Sequence, residues 1–254
     1  MMKKVIFVLI FIAFASIAAA QTLNDLTWVT EEYPPYNFSE NGQTKGIAVD
    51  VLLEVWKRVG IHKTAKDITI YPWARGVSML ESTKGCCLFS TTMTPRRKNV
   101  LGYRFFSPIP GKTESGNHII APKSAHIKIA SQDDLKKYRI GVVLDDVGQD
   151  LVAEAKVPKD HIDTCNNGNQ LVNKMAKKRF DVMSYEFRTV QDLMKENKID
   201  SNLYEIVYTF PPLKMGYAFN KATDPALIKE LQKALDSVYS DGTAEKIRKK
   251  YMVN

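Results

Sequence analysis

Apolar positions recur along this chain with two periods, and the alternation between them carries most of its organisation. In the stretch that begins Gly46-Ile47-Ala48-Val49-Asp50, the residues Ile47, Val51, Leu52, Val55, Trp56 and Val59 share one helical face, and Gly60 stops the helix. Leu227, Leu231, Leu235 and Val238 repeat the pattern near the carboxyl end, after the strong helix start Asp224-Pro225. Short apolar runs with strand propensity stand at Leu26 to Thr30, Ile68 to Tyr71 and Leu88 to Met93. From Ser131 onward strand and helix alternate. Ser131 with Asp134 caps a helix, Tyr138 to Leu144 reads as a strand, Gly148 to Ala155 as a helix and His161 to Thr164 as a strand. Asn169 to Lys177 follows as a helix and Phe180 to Met183 as a strand. That order predicts a parallel α/β sheet, with ligands beyond the carboxyl ends of its strands.

The first 20 residues stand apart. Met1 to Ala20 has two lysines, an unbroken apolar run and Ala18-x-Ala20 before Gln21, the three regions of a secretory signal peptide. No later segment is apolar enough to span a membrane, and no cysteine follows the cleavage site to carry a lipid, so the sequence predicts a periplasmic protein. The remaining length suits two lobes, each with its own core. Two proline-rich passages, Ser107 to Lys112 and Val207 to Pro212, are unsuited to central strands and read as crossings between the lobes. This places lobe 1 on residues 21–111 and 213–254 and lobe 2 on residues 112–212.

The net charge of +8 loses two units with Lys3 and Lys4, and the remaining excess is spread over helices where a solvated face explains it. No nucleic-acid-binding motif accompanies it. The three cysteines, Cys86, Cys87 and Cys165, lack CxxC spacing; a vicinal pair bonds poorly, so buried thiols are expected. The four histidines form no HExxH pattern. Gly111-Lys112-Thr113 imitates the end of a phosphate-binding loop, but Phe106 stands where its first glycine is required. No cofactor or metal is expected.

Candidate chemistry gathers at Leu88 to Pro108. Ser90, Thr91 and Thr92 offer hydroxyls and main-chain groups at a strand end, Thr94 suits an N-cap and Pro95 the first helical position, so Pro95 to Val100 is expected to be a short helix. Arg96 and Arg97 fall in its first turn, where cations oppose the helix dipole; a guanidinium there is either held by an acid or is part of a basic surface turn. Glu31-Glu32-Tyr33-Pro34-Pro35-Tyr36-Asn37-Phe38 is a rigid loop at a strand end, from which Tyr33 is the side chain expected to meet a ligand. Trp73 and Arg75, at the start of another helix, are expected at the cleft, with a core position the rival for Trp73 and a surface ion pair for Arg75.

The string Ser90-x-Thr92-x-Thr94-Pro95-Arg96-Arg97, followed by Phe106-Ser107-x-Ile109, resembles the ligand-binding signature of periplasmic solute-binding proteins that feed amino-acid ABC importers, extracellular solute-binding protein family 3. Gly46-x-x-Val49-Asp50 and Asp241-Gly242-Thr243-x-x-x-Ile247 resemble it too. The resemblance implies a two-lobed α/β fold of the Venus-flytrap kind, two mixed sheets flanked by helices and joined by two hinge crossings. It implies a monomer that captures an amino acid or similar small zwitterion and delivers it to a permease in the inner membrane. It assigns the ligand's carboxylate to Arg97, with Thr92 and the N–H groups near Thr94, and its ammonium to Glu186, the Ser90 carbonyl and the Thr92 hydroxyl. Tyr33 and Trp73 shape the side-chain pocket. By register the Val147 N–H also reaches the carboxylate, yet Asp145-Asp146 stand where the family often has Gly-Thr. Two carboxylates there repel an anion, so either that loop points elsewhere, with one of them capping a helix, or the ligand carries extra positive charge. Two rival readings remain: a periplasmic dehydratase-like enzyme on the same scaffold acting on cyclic amino-acid precursors, and a binding protein that feeds a sensor.

Overall fold

The computed structural model describes residues 21–110 and 116–251. The expected signal peptide, residues 1–20, and the expected lobe boundary at 111/112 lie outside them. Two five-stranded sheets organise the described residues. Along the chain the elements are β1 (Thr27–Thr30), the hairpin β2 (Phe38–Glu40) and β3 (Gln43–Lys45), α1 (Ile47–Val59), β4 (Ile68–Ile70), α2 (Trp73–Ser82), β5 (Cys86–Thr92) and β6 (Arg104–Phe106). The second sheet draws on β7 (Asn117–Pro122), β8 (Ile140–Val143), β9 (Ile162–Cys165), β10 (Val182–Glu186) and β11 (Tyr204–Thr209), with helices α3 (Val147–Glu154), α4 (Gly168–Ala176) and α5 (Phe187–Glu196) between them. The chain then returns as β12 (Met215–Phe219), α6 (Pro225–Ser240) and α7 (Thr243–Tyr251).

The first sheet runs β4-β1-β5-β12-β6 and the second β11-β7-β10-β8-β9. In each, a parallel trio (β4-β1-β5; β10-β8-β9) is extended by antiparallel strands, so both sheets are mixed, and the chain passes between them twice. All seven residues of β5 are buried, which explains an apolar and hydroxyl run without alternation: a central strand has no wet face. The core of the first lobe forms around Trp28, which meets Trp56, Phe219 and Phe106 edge-on at 5.1, 5.5 and 6.5 Å between ring centroids.

Local chemistry shifts two expected boundaries. The strand placed at Phe180 to Met183 runs instead over Val182–Glu186. Phe180 is used for packing across the sheet, where its ring fills the space a side chain on Gly141 would need, 2.3 Å from the position of the missing Cβ. The turn Arg96–Val100 is wound more widely than an α-helix, its closing N–H of Leu101 donating to the Arg96 carbonyl five residues back. Cys86, Cys87 and Cys165 are buried free thiols, and burial raises the acidities' midpoints of Cys86 and Cys165 to about 12 and about 11, leaving them unreactive at neutral pH.

Candidate functional site

The carboxyl ends of the parallel strands of both sheets meet one another, and the side chains singled out in the sequence gather there with one exception. Beyond β5, Thr94 Oγ1 accepts the Arg97 N–H at 3.1 Å and fixes the turn that carries the arginine inward. Arg97 is only 3 % exposed. Its Nη1 donates to the Thr92 carbonyl at 3.1 Å, its Nη2 to the Asp145 carbonyl of the other lobe at 3.3 Å, and its guanidinium lies 5.2 Å from the Trp73 ring centroid. Trp73, buried at the start of α2, donates from Nε1 to the same Asp145 carbonyl at 2.7 Å. Asp145 presents that carbonyl from a left-handed conformation, φ +59°, at the end of β8. One main-chain oxygen of the second lobe thus collects two donors from the first.

That convergence predicts the effect of Trp73→Phe, which keeps a ring over Arg97 and removes one bond between the lobes. The closed arrangement should lose roughly 0.5–1.5 kcal/mol. Small-angle scattering of the ligand-free protein should record a larger radius of gyration than for the wild type, and an unchanged radius would contradict the bond's role in closure.

Arg96 reaches across at the rim, where its Nη1 lies 3.6 Å from Asp150 on α3; its side chain is 55 % exposed, so the pair adds little. Arg75 does not join the group. It is exposed, its guanidinium 4.3 Å from the Tyr71 ring centroid, and we withdraw it from the ligand set.

Tyr33 stacks on Tyr36 with centroids 5.4 Å apart and meets Tyr185 of the second lobe edge-on at 5.6 Å. Ser90 has φ +58° and stands unpaired where the register between β5 and β12 slips, so its hydroxyl donates to Asn37 Oδ1. Asn37 in turn donates from Nδ2 to the Glu31 carbonyl at 2.7 Å and locks the loop after β1. Tyr33, Thr92, Asn117, Val147 and Glu186 line a space between the lobes of about 10 Å³, on the order of a single water molecule. A ligand therefore enters only when the lobes part.

The acids of the junction outnumber the buried cation. Asp146, 8 % exposed, caps α3: its Oδ1 accepts the Val147 N–H at 2.6 Å, so the donor expected for a ligand carboxylate is occupied by a side chain of the protein. Glu186 caps α5 in the same manner, with Oε2 accepting from Thr189 N and Oγ1 at 2.6 and 2.8 Å and Oε1 from Arg188 N at 3.1 Å. Sequence reasoning missed Glu31, which follows β1 directly and is only 4 % exposed. Its Oε2 is buried and finds no hydrogen-bond partner among the described residues. Burial first, and Asp146 next, push the Glu31 carboxyl well above the usual carboxylate range, against the pull of Arg97. Burial also raises Asp146, opposed by Arg97 and the Val147 N–H, and raises Glu186, opposed by the donors of Thr189 and Arg188. The one sequence signal for Glu31 was its position, the first residue past a parallel strand.

A family model described as bacterial extracellular solute-binding proteins, family 3, matches residues 26–254. Among solved structures, an ancestral arginine-binding protein bound to arginine superposes with a TM-score of 0.73 at 25% identity, over 90% of this chain and 98% of that one. A histidine kinase sensor domain with similarity to periplasmic binding proteins gives 0.72 at 19% identity, over 89% and 96% of the two chains. An ancestral amino-acid-binding protein described as a precursor of cyclohexadienyl dehydratase gives 0.71 at 24% identity, over 90% and 95%. None of the curated proteins compared with the chain matches it. No helix among the described residues is long and apolar enough to cross a membrane.

Proposed function

This chain belongs to the bacterial extracellular solute-binding proteins of family 3, and from that premise we propose that it captures a free amino acid or close relative between its lobes. The observation that carries the reading is Arg97, a guanidinium buried at the junction of the lobes whose Nη2 is held by a single carbonyl of the opposite lobe. A carboxylate is a stronger acceptor for that fork than a neutral carbonyl, and bidentate. When the lobes part, Arg97 and Trp73 lose Asp145, and a ligand's carboxylate takes its place on the guanidinium. The Glu186 carboxylate, at the edge of the enclosed space and still with acceptor capacity beyond its capping bonds, receives the ammonium together with the Thr92 hydroxyl and the Ser90 carbonyl. Tyr33 and Trp73 bound the side-chain pocket.

Arg97 lies in the turn after a strand of the first sheet and Glu186 ends a strand of the second, so a zwitterion satisfies both only with the lobes shut, and binding selects closure. Charge-assisted bonds of roughly 1.5–3 kcal/mol each support micromolar or tighter affinity after ordering costs. The lobes are residues 21–111 with 213–254, and 112–212; the protein acts as a monomer in the periplasm and offers its closed form to an ABC permease.

Thermal melts of the protein from Gln21 onward, with each common amino acid in turn, test this. A ligand at one hundred times its Kd adds about 2.7 kcal/mol, a rise of roughly 5–10 °C for a chain of this size. The stabilising amino acid should be recovered unchanged by mass spectrometry, whereas a dehydratase would consume its compound. No rise with any amino acid would remove the assignment.

A further inference from the structure

Within the first lobe, between the carboxyl end of α2 and the turn after β5, lies a cavity of about 250 Å³, against about 10 Å³ between the lobes. None of its lining residues belongs to the cleft. Leu80, Tyr103 and Asn220 form a buried floor. Asn220 is committed to the fold, its Nδ2 donating to the Leu80 and Glu81 carbonyls at 2.7 and 3.0 Å and its Oδ1 accepting the Ala222 N–H at 2.8 Å. The lip is open. Val100 is 77 % exposed, the most exposed large apolar side chain among the described residues, and Leu101 beside it is half-buried. The stem of Lys221 closes the remaining wall, its Cβ 3.5 Å from where a Cβ on Gly102 would stand.

The charged group held in place here is Glu81. The Tyr103 hydroxyl donates to its Oε1 at 2.6 Å and fixes the carboxylate at the cavity's edge, with acceptor capacity beyond that one bond. A carboxylate beside exposed and half-buried hydrocarbon favours a guest that is both cationic and apolar: the cation answers Glu81, and the body removes Val100 and Leu101 from water. The space falls below the roughly 300–1,000 Å³ of drug-sized sites, so the guest is small.

Two walls of the cavity also hold the arginine turn. Leu101 N–H donates to the Arg96 carbonyl at 3.0 Å and Tyr103 N–H to the Arg97 carbonyl at 2.9 Å. A guest packed on Leu101 and Tyr103 therefore steadies the segment that presents Arg97.

We propose that this cavity is a second ligand site, for a small primary ammonium with an apolar body, and that filling it raises the affinity of the cleft. The site stands on the cavity alone, while the coupling rests on the reading of Arg97 given above; being a coupling between binding sites, it is reciprocal. Two sources share the chemistry, an alkylamine and an apolar amino acid, the second adding a carboxylate for Lys221.

Methyl NMR of the protein from Gln21 onward, labelled at valine and leucine, separates the two sites, because Val100 edges the cavity and Val147 lines the cleft. Val100→Ala assigns the first signal. 3-Methylbutylamine has no carboxylate for Arg97, so it should shift Val100 saturably and leave Val147 in place. L-Leucine should shift Val100 as well, and the tighter binder of the two identifies the source. 4-Methylpentanoate, with a similar body and no ammonium, should bind there at least tenfold more weakly than the amine. Glu81→Gln should weaken the amine about fivefold, the loss fitting an exposed carboxylate. Val100 unmoved by both amine and leucine, equal affinity for 4-methylpentanoate, or full amine affinity in Glu81→Gln overturns the site. With the amine saturating, the amino acid that stabilises the wild type should bind the cleft about fivefold more tightly, read at Val147; an unchanged affinity overturns the coupling. Should no amino acid move Val147, the reading of the cleft fails separately, and Val100 still decides the second site.

Discussion

Arg97→Ala should bring amino-acid binding below detection and lower the melting temperature of the ligand-free protein. Truncating one partner of a buried, hydrogen-bonded charge pair costs about 2–5 kcal/mol of affinity, or roughly one and a half to three and a half orders of magnitude in Kd. The stability loss has a separate origin. Arg97 offsets burial more than any other group at Asp146 and at Asp150, and acts on Glu31 too, so its removal leaves these buried acids without that cation. It also strips donors from the Thr92 and Asp145 carbonyls, and the latter keeps Trp73 Nε1. Calorimetric titration with arginine and glutamine, alongside a melt followed by circular dichroism, measures both effects. Arg97→Lys separates charge from geometry: a lysine restores a positive charge for the acids but not the planar fork, so stability should recover more than affinity. Wild-type affinity in Arg97→Ala would mean that the ligand's carboxylate is held elsewhere, and the proposed mode of capture would fail.

Much of this site could be read from residues in order, and the remainder depended on contacts that order does not encode. Thr94 and Pro95 marked the turn that aims Arg97, because capping chemistry is local. Arg75, for which a surface position was the rival reading, lies outside the group, and the same kind of local rule accounts for it. In α2 the buried residues are Trp73, Gly76 and Leu80, three and seven apart, and a residue two positions from Trp73 points away from that face. Asp145 and Asp146 posed a question the sequence left open. One of the pair caps a helix, as one alternative held, but the other acts through its carbonyl, from a backbone conformation that aspartate tolerates and that no side-chain pattern announces. Glu31 was hidden in a pair of adjacent glutamates in a polar-looking loop. Its neighbour Glu32 accepts the Ser39 N–H at 3.1 Å outside the junction, and only the end of β1 at Thr30 distinguishes the two.

Gly46→Ala should be the most damaging single-methyl change near the site, though Gly46 touches no ligand. Its φ of +126° with ψ 173° lies in a region reserved for glycine, at a cost of about 1–3 kcal/mol for any other residue. A Cβ there would also lie 2.3 Å from the Tyr36 carbonyl oxygen and 2.8 Å from the Asn37 nitrogen, both main chain and unable to turn aside. The approach is this close because the loop after β1 docks on the start of α1: Ile47 N–H donates to Pro35 O at 3.0 Å and Ala48 N–H to Tyr36 O at 2.8 Å, satisfying two of the helix's free donors. Pushing the loop off loosens Tyr33 and, through the Asn37 bond to the Glu31 carbonyl, Glu31 itself. We expect a loss of about 2–4 kcal/mol, a fall in melting temperature of roughly 5–15 °C, and weaker ligand binding than in the wild type. Gly42→Ala is the control, since Gly42 has φ +73° but nothing within 4 Å of its missing Cβ; it should cost about 1–2 kcal/mol from conformation alone and leave binding unchanged. If the two variants melt together and bind alike, the docking of that loop on α1 does not hold the site in place.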